Sequence, residues 1–337
     1  MRLTDFDYEL PEEHIAQIPV EPRDAARLLI DRGSALPEHA HVRDLPKFLV
    51  DGDLLVVNDT KVIPARLRLW RESGGAAEVL LLEPVGDDRR TWEAMIRPAR
   101  KLRPGERLVD AAGEVLIEIG QRTAAGDTCT VTIAAEGDPL SVLQRHGEMP
   151  LPPYITTSLD RPDRYQTVYA NDPASAAAPT AGLHFTRDLL AAIGDRGVNV
   201  ATVDLVVGLD TFKPVVVADP RDHVMHSERY RVTAGVMEQC RRARRVVAVG
   251  TTTVRALESA AATGDLEGRT RLFITRSFDW KIVDLMMTNF HMPRTTLLMM
   301  IDAFVGDRWR RLYDVALAEH YRFLSFGDAM LLDRRMS

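Results

Sequence analysis

The run AAPTAGLHFT at residues 177–186 carries the first side chains suited to chemistry. Thr180 offers a hydroxyl, and Gly182 allows a close approach of the backbone to a neighbour. His184 can change its charge near neutral pH. Thr186 is a good N-cap, so the run predicts a polar loop that opens a helix, a common place for a site. A tight structural connection is an equally good interpretation of this segment alone.

A second loop of the same character lies at residues 288–296, where Asn289 and His291 precede another apolar run with a threonine cap. Two further polar segments lie between these loops, at 223–228 and 250–255. Four such segments in one chain indicate acid/base chemistry rather than packing alone. The candidate catalytic residues are His184, His226, Glu228 and His291. Their spacing does not show which of them is the base.

Residues 246–253 have the pattern of a buried strand, a glycine turn and a helix N-terminus. Exposed N–H groups and threonine hydroxyls at such a terminus favour an anion. A carboxylate or an RNA phosphate would fit there. Arg255 and Glu258 share a helix face, so a structural pair between these two side chains is the alternative interpretation.

These segments resemble the S-adenosylmethionine:tRNA ribosyltransferase-isomerases of the queuosine pathway. The resemblance covers nearly the whole chain in order. Beyond the segments above, it rests on the runs NDTKVIPARL (58–67), EVLLL (78–82), RPARKL (97–102), GEMPLPPY (147–154), YQTVY (165–169) and SFGDAM (325–330). Each run is unusual in composition, so the match is highly specific.

The resemblance implies transfer and isomerisation of the ribosyl group of S-adenosylmethionine. The implied acceptor is 7-aminomethyl-7-deazaguanine at the wobble position of tRNA, and the implied product is epoxyqueuosine, with release of adenine and methionine. S-adenosylmethionine is then a co-substrate, modified tRNA is the partner, and no cofactor is bound. Two alternatives stay open: the same ribosyl chemistry on a free small-molecule acceptor, and a non-catalytic RNA-binding relative.

The matched segments also supply the residues that we expect to contact substrates. They are Asn58, Asp59, Thr60, Lys61, Arg66, Arg97, Arg100, Lys101, Thr180, Gly182, Phe185, Thr251, Thr252, Thr253, Arg255, Asn289 and Phe290. The basic cluster at 97–101 either contacts phosphates or simply faces solvent. His223 and His226 resemble a metal pair, but no further ligand cluster accompanies them, so we expect no metal.

Two positions depart from the family pattern. Ala174 and Ala176 stand where relatives often have glycine and valine. Asp210 occupies a place usually taken by a small residue. Because a carboxylate beside the site would alter its electrostatics, the effect of these residues on substrate choice stays open.

Composition excludes several classes of protein. The 337 residues are enough for two domains, and 45% hydrophobic with 27% charged residues is typical of a soluble globular chain. No apolar run approaches the roughly 20 residues of a membrane helix. Two cysteines without metal spacing fit a reducing compartment. We therefore expect a cytoplasmic monomer. The net charge of −6 does not indicate a nucleic-acid binder, so local basic clusters matter more.

The elements that must position these residues fall into two classes. From about residue 65 to 135, short β-rich runs alternate with turn residues, which predicts a small barrel. These runs lie at 66–70, 77–82, 91–96, 115–119 and 128–133. A buried strand at 54–57 precedes them, and ligands in open α/β sheets bind at the carboxyl ends of such strands.

After residue 183, helices and strands alternate, which predicts an α/β core. Helices are predicted at 187–195, 233–244, 253–262, 295–304 and 307–321. Strands are predicted at 198–206, 246–249, 272–274 and 283–286. The sequence thus predicts an α/β core domain, formed by residues 1–64 and 150–337, with an inserted all-β barrel at 65–149. The family resemblance implies the same arrangement.

Overall fold

The computed structural model describes residues 1–86, 88–123, 126, 128–208 and 215–336. Its strands are β1 Arg27–Ile30, β2 Glu38–His41, β3 Leu54–Asn58, β4 Thr60–Val62, β5 Arg66–Arg71, β6 Gly75–Pro84, β7 Thr91–Arg97, β8 Arg107–Val109, β9 Val115–Arg122, β10 Cys129–Ile133, β11 Gly147–Glu148, β12 Asp172–Ser175, β13 Asn199–Leu205, β14 Glu228–Arg231, β15 Val246–Val249, β16 Glu267–Thr270, β17 Leu285–Asn289 and β18 Ala329–Asp333. Its α-helices are α1 Pro139–His146, α2 Arg187–Gly194, α3 Ala234–Arg242, α4 Thr251–Thr263, α5 Thr296–Val305 and α6 Arg308–Ala318.

The larger sheet has nine strands in the order β16-β14-β13-β3-β15-β17-β18-β1-β2. Its central strands β13, β3, β15 and β17 run parallel. Every residue of β3, β15 and β17 is buried, because helices cover both faces of the sheet. Leu55 and Val57 pack with helix α2 on one face, whereas Leu54 and Val56 pack with α3 to α6 on the other. The predicted α/β core is confirmed.

The smaller sheet closes into a barrel of strands β5, β6, β7, β10, β9 and β8, with β11 added beside β5. Pairing of Trp70 with Val109 and of Arg71 with Leu108 closes it. The barrel has its own core around Trp92, separate from that of the larger sheet. The inserted barrel is therefore confirmed as a fold class, while the exact division at residues 65 and 149 stays a prediction.

One predicted strand is wrong. Residues 272–274 form no strand, and the edge strand β16 ends at Thr270 instead. The Thr270 hydroxyl accepts the N–H of Leu272 at 3.0 Å, which turns the chain away from strand β14. Ile274 is nevertheless buried in the main core, so its apolar character serves packing rather than pairing.

The helices begin and end close to their predicted bounds because their caps are visible in the sequence. The Thr186, Thr233 and Thr295 hydroxyls each accept an N–H from the first turn of α2, α3 and α5. Among the described residues, no helix combines the length and the apolar character needed to cross a membrane.

Candidate active site

The carboxyl ends of the parallel strands meet at one edge of the larger sheet and surround a cavity. Strand β17 ends there at Asn289, and Gly250 follows β15. The lining residues are Tyr154, Ala178, Pro179, Thr180, Ala181, Val207, Gly250, Thr251, Thr252, Thr288, Asn289, His291, Met292, Thr295, Leu297, Leu324 and Ser325. Hydroxyl and amide groups therefore face apolar side chains, as in many sites for small ligands.

The turn between β15 and α4 has the predicted strand, glycine and helix order. Gly250 adopts φ +88°, which side chains rarely allow, and a Cβ there would lie 3.6 Å from Ala181 Cβ. Helix α4 starts immediately after it at Thr251. The Thr253 hydroxyl donates to Val249 O at 2.7 Å and so is occupied within the helix. Thr251 and Thr252 line the cavity, whereas Thr253 does not.

Asn58 lies behind this turn, and its side chain makes hydrogen bonds that stabilise the fold. Its amide nitrogen donates to Leu205 O at 3.0 Å and to Thr252 Oγ1 at 3.3 Å. Its oxygen accepts the N–H groups of Thr60 and Leu205. Because these contacts use the whole hydrogen-bonding capacity of the amide, Asn58 positions Thr252 and the end of β13 rather than a substrate.

Asn289 joins the two histidine-bearing loops. Its amide nitrogen donates to Leu324 O at 3.1 Å and lies 3.2 Å from His184 Nε2, while its oxygen accepts the Thr180 hydroxyl at 3.1 Å. His184 Nε2 is thus the acceptor. Burial lowers the pKa of His184 to about 3, so the ring is neutral at pH 7. His184 lies behind Asn289, outside the lining of the cavity.

His291 is the predicted catalytic histidine that reaches the cavity. Its Nε2 lies 2.9 Å from Thr288 Oγ1. Its backbone is fixed from both sides, since the Tyr313 hydroxyl accepts the His291 N–H at 2.9 Å and the Tyr8 hydroxyl donates to the His291 carbonyl. Burial lowers the pKa of His291 to about 3. The ring is therefore a neutral hydrogen-bonding group held in a rigid loop.

His226 and Glu228 lie in an adjoining pocket rather than in the cavity itself. This pocket shares Leu297 with the cavity and is also lined by Arg255. Arg255 Nη1 donates to Glu228, and both side chains are buried. The interpretation that Arg255 pairs with Glu258 is thus wrong.

Glu258 instead accepts the N–H groups of residues 281, 282 and 283 at 2.9–3.0 Å. It points to the opposite end of the sheet from the cavity, because residue 283 lies just before the start of β17. Helix spacing placed Arg255 and Glu258 on one face, but each side chain finds a better partner on a different strand or loop.

An open groove lies between the barrel and the core. Its core wall includes Met225, His226 and Glu228, which also line the adjoining pocket. Its barrel wall includes Leu82, Glu83, Glu93, Thr123 and Thr128. Arg269 crosses the groove floor and donates to Glu83 of β6 and to the Ser227 hydroxyl at 2.9 Å. The pocket therefore shares wall residues with both the cavity and the groove, so the three spaces adjoin one another.

Several predicted substrate contacts lie outside the cavity. Phe185 and Phe290 are fully buried, and Phe290 packs against the rings of Tyr313 and Phe323. Stacking on a base is therefore not open to them, because their ring faces are taken by the core. Gly182 packs under the Tyr169 hydroxyl.

Four of the predicted substrate-contact residues follow strand β3 and lie outside the cavity. Asp59 is half-buried, and desolvation raises its pKa. Thr60 is buried with no hydrogen-bond partner for its hydroxyl among the described residues. Lys61 is exposed, and Arg66 begins the barrel strand β5. None of the four lines the cavity.

The basic residues Arg97, Arg100 and Lys101 are exposed at the far end of barrel strand β7. Glu93, on the same strand, lines the groove. Four strand residues correspond to roughly 13 Å. Arg97 thus lies roughly 13 Å along the strand from the groove.

Of the unusual positions, Ala174 and Ala176 are buried, and Ala176 packs with the barrel core. Asp210 lies outside the described residues.

The sequence prediction missed Tyr154 and Ser325, whose hydroxyls lie 2.7 Å apart at the cavity wall. Both belong to runs that carried the family resemblance, and their hydroxyls were the available signal. They were missed because they come from distant segments and neither follows a predicted strand.

A possible metal-ligand group lies on the barrel, where atoms of Asp110, Glu114 and His146 fall within 4.8 Å of one another. Asp110 Oδ1 already accepts the N–H groups of Ala112 and Glu114 at 2.9 Å, so this carboxylate stabilises a turn. His223 and His226 are not part of any such group within the described ranges.

The tight packing of Gly182 gives a test of the loop. A Cβ at this position would lie 2.1 Å from the Tyr169 hydroxyl and 3.0 Å from Thr167 Cγ2. Gly182→Ala should therefore lower the free energy of unfolding by about 1–3 kcal/mol. Gly194→Ala is the matched control, since a Cβ there meets nothing within 4 Å. Equal urea unfolding curves for the two variants would show that the loop yields easily.

Comparison with known proteins gives one consistent result. Residues 3–332 match the family model described as queuosine biosynthesis protein. The S-adenosylmethionine:tRNA ribosyltransferase-isomerases of Symbiobacterium thermophilum and Moorella thermoacetica are 50% and 49% identical, each over 98% of this chain and 100% of the relative. A solved S-adenosylmethionine tRNA ribosyltransferase from Thermotoga maritima is 36% identical, with a TM-score of 0.55 over 97% of this chain and 99% of that chain. The chain therefore belongs to the S-adenosylmethionine:tRNA ribosyltransferase-isomerase family of enzymes in queuosine biosynthesis.

Proposed function

We propose that this enzyme transfers the ribosyl group of S-adenosylmethionine to the aminomethyl group of 7-aminomethyl-7-deazaguanine at the tRNA wobble position. The ribosyl group is isomerised in the process, adenine and methionine leave, and the product is epoxyqueuosine. Family membership supports the reaction class, and the geometry of the site supports the division between a small co-substrate and a large RNA.

The observation that carries this proposal is that three spaces adjoin one another and share wall residues. The cavity meets the adjoining pocket at Leu297, and the pocket meets the groove at Met225, His226 and Glu228. A recessed cavity suits a small co-substrate, because burial excludes water from the reacting atoms. The open groove between barrel and core has room for a nucleotide that is still attached to its RNA chain. The two substrates would then meet near His226 and Glu228.

The reaction makes three demands on the side chains. The positive sulfonium acidifies the neighbouring ribose carbon, so a base must remove a proton there. Adenine needs a proton or hydrogen bond as it leaves, and the acceptor amine must lose a proton before it attacks. Methionine leaves as a neutral thioether and needs no acid. Acid/base groups and hydrogen-bond donors therefore carry the chemistry.

We assign His291 to hydrogen bonding with the adenosyl part of the co-substrate, since its ring is neutral and lines the cavity. Thr180 and Thr251 line the same space and offer hydroxyl groups to ribose or adenine, and the Asn289 oxygen there has capacity for a second hydrogen bond. His184 acts as a positioning residue, because it lies 3.2 Å from the amide nitrogen of Asn289 and outside the lining of the cavity.

His226 stays the candidate for the base, because it lines both the pocket and the groove, where the two substrates would meet. Glu228 lines the same spaces but accepts a hydrogen bond from the buried Arg255 guanidinium, which favours binding of a charged group over proton abstraction.

We expect the exposed cluster Arg97, Arg100 and Lys101 to bind tRNA phosphates. Replacing all three with alanine should weaken tRNA binding and flatten its salt dependence, because each phosphate contact releases counterions. Binding of S-adenosylmethionine should be unchanged. Titrations with tRNA at several salt concentrations measure the slope, and Arg241→Ala with Arg242→Ala is a control in an exposed cluster on helix α3. A slope equal to that of the unmodified enzyme would mean that the cluster only faces solvent.

Adenine release tests the proposed function. With S-adenosylmethionine, release should require tRNA that carries 7-aminomethyl-7-deazaguanine and should be absent with tRNA that lacks the modified base. Release with the free deazapurine alone would instead favour a small-molecule acceptor. Binding of tRNA without any adenine release would favour a non-catalytic RNA binder.

A further inference from the structure

The cavity leaves the methionyl end of S-adenosylmethionine without a charged partner. That end carries an ammonium and a carboxylate, and buried charges need partners. None of the described residues that line the cavity has a charged side chain at neutral pH, since the pKa of His291 is lowered to about 3 by burial. The head group must therefore find its partners beyond the cavity.

The adjoining pocket supplies both charges. It contains Glu228 at the start of strand β14 and Arg255 on helix α4. Both residues are more than nine-tenths buried, and they contact each other through a hydrogen bond from Arg255 Nη1. A further set of residues gives the pocket apolar walls: Met225, Leu272, Ile274, Leu297 and Met300.

The Arg255 guanidinium has unused capacity in this pocket. Its Nε is buried and has no hydrogen-bond partner among the described residues. Its Nη2 makes only a long contact of 3.5 Å with Thr270 O. A buried donor without an acceptor is costly, and a guanidinium is shaped to hold a carboxylate with two donors.

We propose that this pocket is the head-group subsite for S-adenosylmethionine and for its product methionine, with Arg255 binding the carboxylate and Glu228 binding the ammonium. The inference rests on the proposed function. The zwitterion and the Glu228–Arg255 pair each have one positive and one negative group, so binding buries no net charge. Leu297 stands between cavity and pocket, which places the sulfonium at their junction.

Binding measurements separate the head group from the rest of the molecule. S-adenosylmethionine has the zwitterionic end, whereas 5′-methylthioadenosine keeps the adenosyl part and lacks that end. Arg255→Gln should weaken binding of S-adenosylmethionine by about tenfold to a hundredfold, the usual range for a lost hydrogen bond to a charged group. Binding of 5′-methylthioadenosine should stay the same. Isothermal titration calorimetry measures both.

Arg245→Gln is the matched control, because Arg245 also pairs with a buried carboxylate, Asp53, at the opposite end of strand β15. It should change neither affinity. An equal loss of affinity for both ligands in Arg255→Gln, or no loss for either, would overturn the assignment.

A second measurement needs no variant and holds even if Arg255→Gln does not fold. L-methionine and 3-(methylthio)propylamine, which lacks the carboxylate, compete with S-adenosylmethionine for the unmodified enzyme. L-methionine should compete at least about tenfold better. Equal competition overturns the subsite. If adenine release is normal in that case, the proposed function stands, whereas absence of both S-adenosylmethionine binding and adenine release removes the proposed function as well.

Discussion

Replacing His291 with alanine should slow adenine release in a single turnover by roughly a hundredfold to a thousandfold. The imidazole is the histidine side chain in the cavity lining, and a hydrogen bond that strengthens in the transition state has an effect of this size. The fold should survive, because the anchors from Tyr8 and Tyr313 hold backbone atoms of His291, which the substitution keeps. Thr288 loses the hydrogen bond that its hydroxyl makes with the imidazole.

The matched control for that variant is His14→Gln. His14 is buried to the same extent and contacts Tyr321 O at 3.0 Å, but it lies outside the cavity. It should retain the rate of adenine release. A second check is the pH profile, since the lowered pKa of His291 predicts no change in its protonation between pH 5.5 and 8. An unchanged rate in the alanine variant would remove His291 from the reaction.

Acidification from pH 8 to 5 should lower the free energy of unfolding by about 4 kcal/mol through His184 and His291 together. The ordinary histidine pKa is 6.5, and burial lowers the pKa of each ring to about 3 in the folded state. Below pH 6.5 the unfolded chain thus binds protons that the folded chain does not. Stability is fully present above pH 6.5 and is lost as the pH falls, by about 2 kcal/mol per histidine at pH 5.

Urea unfolding at several pH values measures this effect. His184→Gln and His291→Gln should each remove about half of the pH dependence, although both variants are less stable at pH 7. His41→Gln serves as a control for the substitution itself, because the His41 side chain is 52% exposed. The free energy of unfolding could instead depend on pH in the same way in the unmodified protein and in all three variants. That result would mean that the two buried rings take up protons without unfolding.

The sequence predicted the site where polar motifs follow buried apolar runs. Asn289 and Thr251 were predicted in this way, and both line the cavity at or just after the ends of strands β17 and β15. The roles of individual residues within those motifs could be assigned only from their contacts in the folded structure. Asn58 has the same local pattern, yet its amide is saturated by Leu205, Thr60 and Thr252, and only tertiary contacts reveal this.

The barrel was predicted from its turns and alternation, but strand β8 was not, because Arg107–Val109 is too short to show a period. The pairing of Glu228 with Arg255 could likewise not be predicted from the sequence, because it joins β14 to α4 across 27 positions of the chain. Helix spacing favoured Glu258 as the partner of Arg255. Such spacing identifies neighbours on the same helix, but it gives no information about residues on an adjacent strand.

Transfer of label from the ribose of S-adenosylmethionine to tRNA is the most direct test of the proposed reaction. A single turnover would use co-substrate labelled in the ribose and tRNA carrying 7-aminomethyl-7-deazaguanine. The account predicts that label enters the tRNA in equal amount to the adenine and methionine released. Adenine release with all of the ribose label remaining on small molecules would contradict it.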